Sequence, residues 1–135
     1  MRISKEYPPN YTAIKEAFPE STGKACFCFG DTVYNPFGIN ITPDIMEHEE
    51  VHSIRQGNFP EDWWKYYIAD PEWRLNEEYM AFGAQYRFMK NILPVSKQRH
   101  LLHGMARALT GPIYGALVTV PQAEAQIRRH AKEKI

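Results

Sequence analysis

Residues 46–52 read Met-Glu-His-Glu-Glu-Val-His, which places His48 and His52 four positions apart with Glu49 directly after the first histidine. In an α-helix, side chains at this spacing lie on one face about one turn apart, so both imidazoles can bind a single metal ion. The run fits the H-E-x-x-H pattern, in which two histidines bind zinc and the first glutamate acts as a general base. It therefore predicts a helix that carries part of a zinc site.

The flanking residues indicate where this helix begins and ends. Thr42-Pro43-Asp44 is typical of a helix start, with threonine as N-cap, proline at the first helical position and aspartate in the first turn. Gly57 ends the helical pattern, because glycine commonly follows the last residue of a helix. We therefore expect the helix to run from Pro43 to about Gln56.

Helical phase separates the two glutamates that lie between the histidines. At about 100° per residue, His48 and His52 fall on the inward face, and Glu49 lies at the edge of that face. Glu50 points nearly the opposite way. We expect Glu49 to be the general base and Glu50 to be a surface residue.

A catalytic zinc site also needs a third protein ligand and an open fourth position for water. Asp70-Pro71 begins a second long predicted helix, which ends near Asn91 and offers Glu77 and Glu78. Its buried stripe repeats at spacings of four and three: Leu75, Tyr79, Phe82, Tyr86 and Met89. Glu78 lies about 60° from the centre of this stripe, and Glu77 about 160° from it. We therefore expect Glu78 to be the third ligand and Glu77 to lie in water.

The remaining predicted elements are a small N-terminal hairpin and several further helices. Proline, glycine and capping residues mark their ends. The strands are expected at residues 24–29 and 32–34, and the helices at residues 11–18, from Pro60 through Tyr67, from Ser96 as cap to about Leu109, and from Thr119 with Gln122 as a capping box. The rest of residues 1–20 is expected to form a covering arm. The chain is thus predicted to be a single α+β domain, residues 1–135, and mainly helical.

Composition is that of an ordinary globular protein. The chain has 135 residues, of which 44% are hydrophobic and 24% charged, with 16 acidic and 16 basic side chains and no net charge. Such a balance favours neither a nucleic-acid nor a membrane partner, and no stretch is long and apolar enough for a signal or a span, so we expect a cytoplasmic protein. Cys26 and Cys28 share one face of a predicted strand and are expected to be buried or free thiols.

The combination of these two helices resembles a known family. The H-E-x-x-H helix followed by Glu78-Tyr79-Met80-Ala81, 26 residues after His52, is similar to the gluzincin branch of zinc metallopeptidases, whose downstream helix supplies a glutamate in an E-x-x-A setting. Residues 24–90 also resemble small zincin-like peptidases encoded in phage and bacterial genomes. The resemblance implies a minimal zincin-like domain with a short mixed sheet beside the active-site helix. Phe82 stands where larger gluzincins have an aspartate.

The function that follows is zinc-dependent hydrolysis of peptide (amide) bonds in a peptide or protein substrate. Zn2+ held by His48, His52 and Glu78 would activate water, and Glu49 would take its proton and pass it to the leaving amine. Three side chains can be considered for stabilising the oxyanion, in this order: Tyr114, His100 and His103. Arg74, four residues before Glu78, is expected either to contact that ligand or to form a surface ion pair.

A second interpretation retains the zinc site but assigns it no catalytic activity. The same residues can form a zinc staple in a non-catalytic structural or interaction protein, associated with a phage particle if the chain is phage-encoded. A fourth protein ligand in place of water would favour this alternative, because structural zinc sites are closed. The substrate and the oligomeric state are not indicated by the sequence.

Overall fold

The computed structural model describes residues 1–21 and 23–133 of the chain. Within these ranges the architecture is α+β and mainly helical, which confirms the predicted fold class. The helices are α1 (Tyr11–Ala17), α2 (Pro43–Gln56), α3 (Pro60–Ala69), α4 (Pro71–Lys90), α5 (Val95–Ala108) and α6 (Val120–Ala131), with 3-10 turns at Pro19–Ser21 and Pro112–Tyr114. None of the described helices has the length and apolar character needed to cross a membrane.

The three strands form one small mixed sheet. They are β1 (Arg2–Ser4), β2 (Phe27–Phe29) and β3 (Thr32–Tyr34), in the order β1-β3-β2. The predicted hairpin is present as the antiparallel pair β2 and β3, although β2 is shorter than expected. Strand β1, which pairs in parallel with β3, was not predicted. A strand of three residues shows too little alternation to be recognised from its sequence.

Helix starts follow their capping residues closely. Asp70 accepts hydrogen bonds from the backbone of the first turn of α4, and Thr119 with Gln122 forms a reciprocal capping box at α6. Thr42 stands at the start of α2 without a side-chain capping hydrogen bond, and α5 begins at Val95 after Pro94, so that Ser96 lies inside the helix and does not cap it. The two long helices that carry the predicted ligands therefore begin where the sequence indicated.

Helix α4 lies at the centre of the fold, with α2 on one side and α6 on the other. The main core lies between α4, α5 and α6, and its largest members are Leu75, Tyr79, Tyr86, Leu102, Met105, Leu109 and Ile127. Gly83 allows a close approach, because a Cβ at this position would lie 2.7 Å from the Cβ of His130 on α6. Since α4 is packed on both sides, two of its faces are buried rather than one.

Side chains of α2 and α3 hold the hairpin in place. Gln56 donates to the carbonyl of Cys28 at 2.8 Å and accepts from the backbone N–H of Gly30 at 2.7 Å. Ser53 donates to the carbonyl of Gly30, and the indole of Trp64 donates to the carbonyl of Cys28. These side chains pair with backbone groups of Cys28 and Gly30 in and next to the short strand β2. Their hydrogen bonds therefore hold β2 beside α2, the helix that carries His48 and His52.

Candidate metal centre

The three predicted ligands converge on one point. His48 and His52 come from α2 and Glu78 from α4, and their ligand atoms are separated by 3.2 Å (Nε2 to Nε2), 3.1 Å (His52 Nε2 to Glu78 Oε1) and 3.0 Å (His48 Nε2 to Glu78 Oε1). His52 and Glu78 are buried, and His48 is half-buried. The helical phase of both helices therefore leads to one compact cluster.

The spacing and chemistry of this cluster fit a divalent cation. Tetrahedral zinc with bonds of about 2.0–2.2 Å holds its ligand atoms about 3.3 Å apart, close to the separations in the structure. Two imidazole nitrogens and a carboxylate oxygen are also a donor set that zinc prefers. One proton shared between His52 and Glu78 would leave His48 Nε2 facing their lone pairs, whereas a metal ion satisfies all three atoms.

The electrostatics of the cluster also favour positive charge. Burial by itself lowers the pKa of His52, but the charge and hydrogen bond of Glu78, together with the charges of Glu49 and Glu77, outweigh this effect and raise that pKa to about 9. Burial likewise disfavours ionised Glu78, yet the charge and hydrogen bonds of His52 and His48 hold its pKa well below the ordinary value. The Glu78 carboxylate is thus a buried anion that a positive charge beside it stabilises.

The second oxygen of Glu78 has its own partner. The hydroxyl of Tyr67, on α3, donates to Glu78 Oε2 at 2.5 Å, and Tyr114 lines the same pocket as Tyr67. Burial, and next the Glu78 charge, raise the pKa of both tyrosines, so both remain protonated donors. The sequence indicated only a helix that extends through Tyr67, and no spacing connected this residue to Glu78.

Arg74 is buried, so the predicted surface ion pair is wrong. Its guanidinium donates to the backbone carbonyls of Tyr67, Ile68 and Ile113, and it lies 4.8 Å from the centre of the Phe18 ring. Because Ile113 directly precedes Tyr114, these bonds attach the segment that carries Tyr114 to the end of α3. Arg74 therefore holds in place the backbone at Tyr67 and the backbone next to Tyr114.

Glu49 lies where helical phase predicted, at the edge of the inward face. It is 8% exposed, it lines the pocket beside the cluster, and its Oε1 accepts a hydrogen bond of 3.5 Å from the thiol of Cys26. Glu50 is exposed, as expected. Both cysteines are free, as predicted, and burial followed by the Glu49 charge raises the pKa of each thiol.

The expectation that Glu77 lies in water is wrong, because the structure buries this residue. The residue is 2% exposed and accepts hydrogen bonds from Trp63 Nε1 at 2.7 Å and from the Arg55 guanidinium at 3.0 and 3.2 Å. The expectation failed because it assumed that α4 has a single buried stripe, whereas α2 and α3 cover the opposite face. Glu77 thus joins three helices next to the cluster, and Trp63 also packs edge-on against the ring of His52.

A pocket of about 400 Å³ opens beside the ligand cluster. Its walls are mainly aromatic and aliphatic, and its lining consists of Ala25, Cys26, Phe27, Cys28, Ile39, Ile45, His48, Glu49, His52, Trp63, Trp64, Tyr67, Glu78, Phe82, Gln85 and Tyr114. Of the three candidates for the oxyanion, only Tyr114 is in this lining. His100 and His103 are exposed on α5, which packs against α4 and α6 rather than α2, so their prediction was wrong.

No protein-family model, curated protein or solved structure matches this chain. The resemblance that the sequence suggested therefore rests only on the residues of α2 and α4 and on their spacing. Chemically, the site combines three metal-binding atoms, one further carboxylate and a hydroxyl donor around a single pocket. These are the groups that hydrolysis of an acyl bond needs.

Proposed function

We propose that the chain is a zinc-dependent hydrolase that cleaves peptide (amide) bonds. The observation that carries this proposal is the set of three ligand atoms, within 3.2 Å of one another, beside a pocket that Glu49 also lines. Among the residues that the structure describes, this metal-binding group has three members, His48, His52 and Glu78. Three protein ligands are typical of catalytic zinc, because the fourth position stays open.

Each side chain of the site has a distinct role in the proposed reaction. His48, His52 and Glu78 would hold the ion, which supplies a Lewis acid that polarises a carbonyl and makes water more acidic. Glu49 accepts a proton from water at its carboxylate and returns it to the leaving amine. Cys26 orients that carboxylate by donating to Oε1, which leaves the other oxygen available for the proton.

Tyr114 is the best placed group to stabilise negative charge on the substrate carbonyl oxygen. It lines the pocket, and its raised pKa keeps its hydroxyl protonated. The hydrogen bonds from Arg74 to the carbonyl of Ile113 fix the backbone next to Tyr114. A donor held in this way needs little rearrangement when charge develops.

The test begins with the purified protein and zinc. We expect about one zinc per chain, and we expect Glu49→Gln to retain zinc while losing cleavage of a peptide library by about a hundredfold or more. The matched control is Glu50→Gln, which changes the exposed neighbour on the same helix and should keep full activity. A fully active Glu49→Gln protein would exclude this mechanism.

A second pair of variants tests the third ligand. Glu78→Gln removes the anionic donor and should lower zinc affinity by at least tenfold, because a neutral amide oxygen is a poor zinc ligand. Glu77→Gln alters the adjacent buried carboxylate and should leave zinc stoichiometry unchanged. If both variants bind zinc equally well, Glu78 is not a ligand.

A further inference from the structure

A chain of hydrogen bonds extends from the start of α2 to the outer nitrogen of His48. The hydroxyl of Thr42 donates to Asp44 Oδ1 at 2.5 Å, and the amide Nε2 of Gln85 donates to Asp44 Oδ2 at 2.8 Å. The other end of the same amide, Oε1, lies 3.0 Å from His48 Nδ1. Gln85 is buried on α4, while Asp44 and His48 are half-buried on α2.

The chemistry of these groups fixes the direction of each bond. An ionised carboxylate only accepts hydrogen bonds, so the group of Gln85 that faces Asp44 must be its NH2. Burial by itself raises the pKa of Asp44, but hydrogen bonds from Thr42, Gln85 and the backbone together outweigh burial and lower that pKa, so the carboxylate stays ionised. The carbonyl oxygen of Gln85 therefore faces His48 and can only accept from it, which places the imidazole proton on Nδ1.

With its proton on Nδ1, His48 directs the lone pair of Nε2 toward His52 and Glu78. We infer that Asp44 and Gln85 are positioning residues that select the tautomer and ring orientation in which His48 binds the metal. This inference rests on the zinc site of the proposed function. It gives Asp44 a role beyond the start of the helix, and it assigns Gln85 a role that no spacing pattern in the sequence indicated.

His52, the second histidine of the cluster, has no comparable hydrogen bond at Nδ1 within the part of the chain that the structure describes. His52 Nδ1 is buried and has no hydrogen-bond partner among residues 1–21 and 23–133. Its ring is instead held by the edge-on contact with Trp63, at 5.2 Å between ring centres. On the Nδ1 side of its ring, His52 is therefore positioned by packing, whereas the Nδ1 side of His48 is positioned by a hydrogen bond. Outer partners of this kind typically contribute a factor of about 10 to 100 to metal affinity.

The experiment measures zinc affinity by competition with a chelator. Gln85→Met keeps the length of the side chain and removes the amide, and we expect it to raise the Kd for zinc about 10- to 100-fold. Asp44→Asn should raise the Kd by several-fold, because an amide at this position no longer dictates how Gln85 is turned. Gln98→Met is the matched control: this half-buried amide on α5 binds the carbonyls of Lys90 and Leu93 and should leave the Kd unchanged.

The double variant separates positioning from a general structural effect. Because Asp44 acts through Gln85, adding Asp44→Asn to Gln85→Met should produce no further loss of affinity. In NMR spectra of the zinc-loaded protein, the Nδ1 proton of His48 should exchange slowly with water, and it should exchange rapidly in Gln85→Met.

The outcomes distinguish this inference from the function on which it rests. If the unaltered protein binds no zinc, the proposed function fails and the inference fails with it. If the unaltered protein binds zinc and Gln85→Met binds it within twofold as tightly, the zinc site stands and the positioning role is overturned. Additive losses in the double variant would also overturn it. Should Gln85→Met fold poorly, Asp44→Asn together with the proton-exchange measurement still decides the question.

Discussion

Glu77 accepts a hydrogen bond of 2.7 Å from the indole of Trp63, whereas the next residue, Glu78, lies in the cluster with His48 and His52. We expect Glu77→Ala to lower the free energy of unfolding by about 2–3 kcal/mol, because Trp63 Nε1 loses its partner and Arg55 loses its ion pair. Urea denaturation in the presence of a chelator measures this loss independently of zinc. Glu72→Ala, on an exposed position of the same helix, is the control, and equal stability of the two variants would contradict a structural role for Glu77.

Two glycines provide a pair of opposite predictions. Gly83→Ala should destabilise the protein by about 1–3 kcal/mol, since the new Cβ would lie 2.7 Å from His130 Cβ and force α4 and α6 apart. Gly104→Ala, on α5, has open space around its Cβ and should stabilise the protein by about 1 kcal/mol through helix propensity. Thermal unfolding of both variants is the measurement, and a shift of the same sign in both would refute the close approach of the two helices.

The thiols of Cys26 and Cys28 should react slowly. Burial, followed by the charge of Glu49, raises the pKa of both, so the thiolate fraction near pH 8 is far below that of an ordinary cysteine. We expect iodoacetamide to modify the folded protein at least about tenfold more slowly than the urea-unfolded chain. Mass spectrometry of timed samples follows the reaction. Equal rates in the two states would show that the thiols are open to solvent.

His130 should make stability depend on pH. Burial, then the charge of Arg129, lowers its pKa in the folded state below 6.5, against a weaker opposite effect of Glu133. A base with a lowered pKa binds its proton more tightly in the unfolded chain, so stability is lost as pH falls through about 6.5 and the loss ends below the folded pKa. The melting temperature should therefore fall more between about pH 7.5 and 5.5 in the unaltered protein than in His130→Gln.

A change at an exposed histidine is the control for this measurement. His100→Gln, on α5, should keep the pH dependence of the unaltered protein. If His130→Gln loses as much stability on acidification as the unaltered protein, then the burial of His130 has no thermodynamic effect. All samples need the same zinc content, since protons also compete for the ligand cluster.

The sequence contained enough information to predict the helices and the residues of the cluster, because capping residues and a period of 3.6 are local properties. Glu78 was separated from Glu77 by its phase relative to the buried stripe of its own helix, and it does lie together with His48 and His52. The burial of Glu77 was missed because a second packed face depends on where α3 lies, which no local pattern records. Strand β1 and the contact between Gln85 and Asp44 were missed for the same reason, since both join parts of the chain that are distant in sequence.

The cluster is local along the chain, since His52 and Glu78 are 26 residues apart and only α3 intervenes. Closing a loop of this length costs little more entropy than closing a shorter one, because the cost grows only with the logarithm of loop length. The α2-α3-α4 segment carries all three ligand atoms, and the contact between Asp44 and Gln85 lies between the same two helices, α2 and α4. If the proposed zinc ion binds, it would link α2 to α4 and stabilise this segment of the fold as well as serve the proposed reaction.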